Sequence, residues 1–150
     1  QGRLYLERLS GVGCHGGILQ AEKSFLGGAM RGGICVEKSG SCASLLLFID
    51  DYCYTANVGD SRSVLSAEGG KKIIVLTKDH KPNETGEKNR IIEGGGEVYQ
   101  TQIPTITLNG VYKEDYIVGP FRVLPGRLSV SRTIGDAPVK LPQLGGNPKI

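Results

Sequence analysis

Residues Tyr54–Ser66, YTANVGDSRSVLS, carry the clearest structural signal in the chain. A run typical of a β-strand ends at Gly-Asp-Ser-Arg (59–62), and a second apolar run follows. In one interpretation this is a plain turn, in which Asp60 bonds its own backbone and Arg62 is solvated. In the other, a strand end presents the Asp60 carboxylate to a hard cation such as Mg²⁺ or Mn²⁺. One carboxylate is too few for such a site, so other residues must contribute.

Strand patterns lie on both sides of this turn. The segments 42–50, CASLLLFID, and 52–59, YCYTANVG, predict a β-hairpin. Residues 62–67, RSVLSA, and 72–77, KIIVLT, predict two more strands. Because the connections are short, the four strands favour an antiparallel sheet, since parallel pairs need long crossovers.

Two segments show helical periodicity. Residues 18–30, ILQAEKSFLGGAM, predict a short helix. A second helix is predicted after Asn83 as its N-cap, with Ile91 and Ile92 on its apolar face and Gly94 as its stop signal. The chain is therefore expected to combine helices with antiparallel strands.

The C-terminal half is less regular. Residues 97–101 predict a strand, and residues 103–122, which mix Pro, Gly and charged residues, predict a long loop. Residues 127–136, RLSVSRTIGD, predict a strand that runs into a turn. Long loops in compact domains are often functional.

Composition limits the classes of function. The chain has 150 residues, 39% of them hydrophobic, which suits a single globular domain. A net charge of +3 is too small to indicate nucleic-acid binding, and no apolar run is long enough to span a membrane. The start of the chain lacks the pattern of a signal peptide, and its four cysteines show no CxxC spacing. We therefore expect reduced thiols and an intracellular protein, cytoplasmic or nuclear, with no nucleic-acid or membrane partner.

Several other polar residues could serve a site, and each also fits a structural role. Arg132, for instance, could pair with a carboxylate inside the fold or bind a phosphate. His80 is expected to be structural, and Arg90 is expected to pack or lie on the surface. His15 lies in a predicted Gly-rich turn, GCHGG (13–17). The full set consists of His15, Asp79, His80, Arg90, Arg132 and Asp136.

Six motifs occur in a fixed order along the chain: SGSCAS (39–44), ANVGDSRSVL (56–65), LTKDHKP (76–82), EKNRIIEGGGEV (87–98), GRLSVSRTIGD (126–136) and Lys140. Together they resemble the metal-dependent type 2C serine/threonine protein phosphatases. The resemblance implies an α+β fold, in which an antiparallel β-sandwich of two sheets is flanked by helices. It also implies hydrolysis of phosphoserine and phosphothreonine in phosphoprotein substrates, by a water that bridges two Mg²⁺ or Mn²⁺ ions.

The resemblance assigns roles to particular residues. Asp60 resembles a ligand of an accessory third metal ion, and Ser61 lies beside that site. His15 holds the position of the general acid that protonates the leaving oxygen. Residues 99–125 match a variable flap, a segment tied to substrate choice and metal access. The segment 131–136, with Arg132 and Asp136, is expected to be largely architectural.

The chain also departs from the family pattern. Gly13 stands where the family has the aspartate that bridges both metal ions, and the helical region before Ser39 is short. The later metal-binding aspartates do not occur. We therefore predict a single partial domain over residues 1–150, incomplete at both ends, with an incomplete two-metal site and little or no activity by itself. The chain could be part of a longer phosphatase, a truncated gene product, or a pseudophosphatase that acts as a binding or scaffolding module.

Overall fold

The computed structural model of the chain describes residues 5–8, 12–106 and 112–149. The helices are α1 (Val12–Gly28), α2 (Thr85–Glu93) and α3 (Ala137–Lys140), with 3₁₀ turns at Glu68–Gly70 and Pro142–Leu144. The strands are β1 (Tyr5–Arg8), β2 (Met30–Arg31), β3 (Ile34–Cys35), β4 (Gly40–Ser41), β5 (Ala43–Ile49), β6 (Tyr52–Val58), β7 (Val64–Ala67), β8 (Lys72–Val75), β9 (Glu97–Ile106), β10 (Tyr112–Leu124) and β11 (Ile134–Gly135).

The hairpin predicted before the Gly-Asp-Ser-Arg turn is confirmed. Strands β5 and β6 pair antiparallel from Ala43↔Val58 to Ile49↔Tyr52. Strand β6 is rich in aromatic and β-branched residues, which the pleated surface favours, whereas β5 is mostly leucine. Strand β1 adds parallel to the other edge of β6, so the sheet is mixed, in the order β1-β6-β5.

The next two strands form a sheet of their own. Strands β7 and β8 pair antiparallel from Val64↔Val75 to Ala67↔Lys72. Both strands are confirmed. The prediction of one four-stranded antiparallel sheet is wrong for the described residues, because β7 and β8 do not extend the sheet of β5 and β6. The residues between β6 and β7 instead bond the segment after β8, where the Leu76 amide donates to the Ser63 carbonyl at 2.9 Å.

The long loop predicted over residues 103–122 is also wrong. Strands β9 and β10 form an antiparallel hairpin, paired from Leu124↔Glu97 to Tyr112↔Ile106. The register shifts between Val118 and Phe121, around Gly119 and Pro120. Gly and Pro are tolerated at such an irregularity because ladder hydrogen bonds are already interrupted there. The β-branched and aromatic residues on either side therefore outweigh these two turn signals.

Helix α1 is longer than predicted. It begins at Val12, so His15 lies in a helix and not in the Gly-rich turn that the sequence suggested. Glycine in a helix costs about 1 kcal/mol relative to alanine. The helix is held against the C-terminal segment by Glu22, which accepts a hydrogen bond from the Gly135 amide at 2.7 Å.

Helix α2 follows the prediction only in part. Gly94 is its C-cap, as predicted, but Glu84 and not Asn83 is its N-cap, and Glu84 makes no side-chain capping bond. Ile91 is fully buried, whereas Ile92 is 54% exposed. The apolar contact of α2 thus depends on Ile91 rather than on both isoleucines.

The strand predicted over residues 127–136 is mostly absent from the structure. Only Ile134–Gly135 form a strand, β11, which pairs with β4. Leu128 makes an isolated bridge to Val123. The polar residues between them turn towards α2, where Arg132 and the Ser131 hydroxyl both bond Glu87.

The buried apolar core of the described residues is small. It consists of Ala29, Cys53, Ile91, Val123, Ala137 and Val139. Residues 45–49 of β5 are large and apolar yet exposed, with Phe48 at 60%. The mixture of helices and strands confirms the α+β class. Within the described residues the strands form small separate sheets, and no described helix is long and apolar enough to cross a membrane.

Candidate functional site

The Gly-Asp-Ser-Arg turn follows directly after β6. Gly59 has φ +102°, a conformation that residues with a side chain rarely adopt. A Cβ at this position would overlap the Cys42 side chain. The glycine therefore allows the chain to leave β6 close to Cys42, and this sharp exit places the next residue, Asp60, beside β4 and β5.

The Asp60 carboxylate faces a thiol and an ammonium group. Its Oδ1 lies 3.7 Å from Cys42 Sγ, and its Oδ2 lies 3.4 Å from Lys81 Nζ. The Asp60 side chain is 33% exposed. Ser61, the residue predicted beside it, is exposed. The strand end thus presents a carboxylate, as the sequence suggested, but that carboxylate already has a cationic partner.

Arg62 is paired with a carboxylate, although its side chain is 55% exposed. Its Nε and Nη2 donate to the two oxygens of Asp79, each at 2.9 Å. The hydrogen bond from Arg62 holds the pKa of Asp79 below its usual value, and the Arg62 charge adds to this. The bidentate pair ties residues 59–62 to residues 78–81, so the two motifs form one unit.

His80 completes the same unit through its backbone and its ring. The His80 amide donates to the Gly59 carbonyl at 2.9 Å, and the Gly59 amide donates to His80 Nδ1 at 3.2 Å. Burial lowers the pKa of His80, and the charge of Arg132 lowers it further. A neutral imidazole can accept the Gly59 bond, whereas a protonated one cannot. These contacts agree with the structural role expected for His80.

Glu87 is the centre of a second polar cluster. It accepts hydrogen bonds from Arg132 at 2.8 Å, the Ser131 hydroxyl at 2.7 Å and Arg90 at 3.0 Å. Burial raises the pKa of Glu87, but the bonds from Arg132, Ser131 and Arg90 lower it more, and the pKa falls to about 2. Of the two roles considered for Arg132, the structure shows the pair with a carboxylate inside the fold.

Asp136 also serves the fold. Its φ is +53°, and its amide donates to the Ser39 carbonyl at 2.8 Å. A Cβ at Gly40 would overlap the Asp136 carboxylate, so this side chain packs directly on β4. The architectural role that the resemblance implied for this segment agrees with these contacts.

A cavity of about 580 Å³ lies next to α1 and β6. Its walls include His15, His80, Arg132 and Lys140. Asp60 and Ser61 are not among its described lining residues. The structure therefore brings His15 to the same cavity as His80, while Asp60 lies at a different place.

Sequence reasoning missed three residues that shape these sites: Glu22, Cys42 and Lys81. Lys81 stands within the LTKDHKP motif, but nothing in a motif says which carboxylate its ammonium group contacts. Glu22 is distant in sequence from Lys140, with which its carboxylate pairs. These partners depend on the path of the chain and have no local signal.

The described residues do not by themselves make a metal site. They contain no group of three or more His, Cys, Asp and Glu residues that could hold an ion. Asp60, the predicted ligand, contacts a lysine instead. Divalent ions of the Mg²⁺ class need several oxygen ligands, so one carboxylate with an ammonium partner does not fit them.

Comparison with known proteins identifies the family that the sequence motifs resemble. The family model for protein phosphatase 2C matches residues 20–149. This stretch contains Asp60 and Ser61, whereas His15 precedes it.

Three relatives illustrate the extent of the similarity. "Probable protein phosphatase 2C 7" from Oryza sativa subsp. japonica is 49% identical over 100 residues, which are 67% of this chain and 21% of that protein. "Probable protein phosphatase 2C 2" from Arabidopsis thaliana is 39% identical over 69% of this chain and 22% of that protein. "Probable protein phosphatase 2C 15" from Arabidopsis thaliana is 37% identical over 82% of this chain and 24% of that protein. The chain spans only about a fifth to a quarter of the length of these relatives, but the match covers most of its own residues. The chain belongs to the protein phosphatase 2C family.

Proposed function

We propose that this chain is part of a Mg²⁺- or Mn²⁺-dependent phosphatase that hydrolyses phosphoserine and phosphothreonine in proteins. The observation that carries the proposal is the family match over residues 20–149, which includes the Gly-Asp-Ser-Arg turn. In the structure this turn lies at the end of β6 and exposes part of a carboxylate.

The fold proposal is that these 150 residues form one partial domain of an antiparallel β-sandwich. Its support is the exposed apolar surface of β5, since large hydrophobic side chains at 43–60% exposure are unusual in a finished core. Further strands packed on β5 would cover residues 45–49. The relatives, whose matched stretch is only 21–24% of their length, have enough additional chain to do so.

The residue assignments are proposals as well. Asp60 would be a ligand of an accessory ion, with Ser61 beside it, and His15 would be the general acid. Asp60 is partly exposed at a strand end, and His15 is exposed at the edge of a cavity. Because the described residues lack a metal-binding group, ligands for two ions would have to come from outside them.

The hairpin of β9 and β10 is proposed to be the flap that selects substrates. The hairpin covers most of residues 99–125 of this chain, the segment that matches the variable flap of the family. Ile103 and Ile117 face each other across the hairpin and are 58% and 59% exposed. An exposed apolar pair on this hairpin offers a contact surface for a phosphoprotein.

A second candidate function is that of a pseudophosphatase, which binds or scaffolds without hydrolysis. Two observations favour it: Gly13 in place of the bridging aspartate, and the lysine that pairs with Asp60. Either protein would suit a reducing compartment such as cytoplasm or nucleus, since Cys35, Cys42 and Cys53 are free thiols.

Hydrolysis of a phosphothreonine peptide, with Mn²⁺ or with EDTA, tests the choice. The assay is made on the 150-residue chain and on the longest product of the same gene. We expect Mn²⁺-dependent turnover from a longer product, at least about tenfold lower in Asp60→Asn at limiting Mn²⁺. Asp51→Asn, at the exposed β5–β6 turn, is the matched control. Absence of turnover in every product would reject the phosphatase proposal in favour of a pseudophosphatase.

A further inference from the structure

The cavity beside α1 and β6 has more cationic than anionic side chains in its wall. Glu22 is the one carboxylate among its described lining residues, and it pairs with a lysine. The cationic side chains of the described lining are Lys78, Arg90, Arg132 and Lys140. Lys140 is balanced by Glu22, and Lys78 is balanced by Glu84. The charge of the cavity therefore depends on the two arginines.

The two arginines keep part of their charge. Arg90 and Arg132 share a single carboxylate, that of Glu87, so two guanidinium groups face one negative charge. The environment of His80 agrees with this excess: burial lowers the pKa of its ring, and the charges of Arg132 and Arg90 lower it further. A concave wall with uncompensated positive charge attracts small anions.

Three groups in the wall still have hydrogen atoms to donate. Arg132 binds its carboxylate through Nε and Nη2, and its Nη1 has no partner among the described residues. His80 accepts the Gly59 amide at Nδ1, so its neutral ring carries the hydrogen on Nε2. Lys140 uses two of its three ammonium hydrogens, on Glu22 and on the Thr133 carbonyl. Guanidinium, imidazole and ammonium donors of this kind bind phosphate oxygens.

We propose that this cavity binds a phosphate group, either as inorganic phosphate or as part of a small phosphomonoester. Arg132, His80 and Lys140 donate to its oxygens, and the excess charge of the two arginines offsets its negative charge. A volume of about 580 Å³ is sufficient for a small molecule. The site is separate from Asp60, which is not among the described lining residues, and it does not depend on the proposed function.

Histidine NMR tests this site directly, because the chain has two histidines, His15 and His80, and both line the cavity. Ring signals are recorded in EDTA at about pH 7.5, where phosphate is largely a dianion. Phosphate replaces chloride at constant ionic strength. We expect both rings to shift with one common Kd of about 1 mM or below. No shift of either ring up to about 50 mM phosphate would overturn the proposal.

Substitutions at Leu19 test the role of charge in the cavity. Leu19 lines the cavity, is 54% exposed and lies one helical turn before Glu22, so its replacement removes no buried side chain. Leu19→Glu should weaken phosphate binding about five- to tenfold, and Leu19→Lys should strengthen it at least about twofold. Leu19→Gln is the neutral control and should bind like the unmodified chain. Lys23→Gln removes one positive charge from the same helix outside the described lining, and should also leave binding unchanged.

The opposite effects of Leu19→Glu and Leu19→Lys are the decisive result. Equal binding by these two variants would overturn the proposal, and so would a loss in Lys23→Gln as large as that in Leu19→Glu, which would be a general charge effect. Circular dichroism melting shows that each variant is folded. Glycerol 2-phosphate, titrated in the same way, distinguishes the two forms of the ligand. Tighter binding than that of inorganic phosphate assigns the cavity to phosphomonoesters, and weaker binding assigns it to the free ion.

Discussion

Gly59 shows how one residue controls the exit from β6. Its φ of +102° is strained for other residues, and a Cβ would meet Cys42. Gly59→Ala should lower the free energy of unfolding by about 2–4 kcal/mol, the sum of backbone strain and overpacking. Gly69→Ala is the control, because φ is +65° there and no atom lies within 4 Å of its Cβ. Its cost should be about 1 kcal/mol. Urea unfolding measures both, and equal losses would contradict the packing argument.

Glu87 makes the stability of the folded chain depend on pH. Its pKa is about 2 in the folded chain against an ordinary value of 4.5. The ionised form is thus favoured by folding, so its contribution is complete above pH 4.5 and is lost as the pH falls towards 2. The loss is up to about 3 kcal/mol.

Thermal melting between pH 6 and pH 2 tests this dependence on Glu87. Glu87→Gln should be less stable than the unmodified chain at pH 6, and its stability should change less between pH 6 and pH 2. Glu93→Gln, exposed on the same helix, should keep the profile of the unmodified chain. Parallel curves for all three proteins would show that the acid sensitivity arises elsewhere.

At the scale of elements, the Glu22 carboxylate links helix α1 to the C-terminal segment through two polar contacts. Glu22 accepts from the Gly135 amide at 2.7 Å and pairs with Lys140, which also donates to the Thr133 carbonyl at 2.8 Å. Glu22→Ala removes the acceptor of the Gly135 amide and the counter-charge of Lys140, which keeps its bond to the Thr133 carbonyl. The expected cost is about 1–3 kcal/mol.

Hydrogen exchange at the Gly135 amide measures the attachment of α1 to the C-terminal segment. This exchange should become at least about tenfold faster in Glu22→Ala. Lys23→Ala changes the neighbouring exposed residue of the same helix and should leave the exchange rate unchanged. Unchanged exchange in both variants would mean that α1 is held by other contacts.

At the scale of the whole molecule, strand β5 exposes a continuous apolar surface. Residues 45–49 are all large and hydrophobic, and all are at least 43% exposed. Such a surface binds hydrophobic dyes and promotes self-association. Phe48→Lys, at a side chain that is 60% exposed, should reduce both while changing stability by less than about 1 kcal/mol.

Dye fluorescence and size-exclusion chromatography measure this effect. Ile34→Lys is the control, because Ile34 is 69% exposed but lies on the separate hairpin of β2 and β3. A control that reduced association as strongly as Phe48→Lys would show that β5 is not the responsible surface.

Local patterns were sufficient for much of the fold. The hairpin of β5 and β6, the hairpin of β7 and β8, and the end of α2 at Gly94 all follow from side-chain alternation, turn residues and capping signals close in the chain. The ordered motifs likewise led to the phosphatase family, which the comparison confirms. Such features depend on neighbouring residues, so they can be read without a structure.

Other features depend on which distant segments meet. The sequence placed residues 103–122 in a loop and His15 in a turn. In the structure, pairing with β9 makes most of residues 103–122 a strand, and α1 includes His15. Lys81 and Cys42 reach Asp60 from other parts of the chain. Motifs predicted the Asp60 carboxylate but not its partners, because a side chain's neighbours across a fold are set by the packing of elements and not by the residues next to it in sequence.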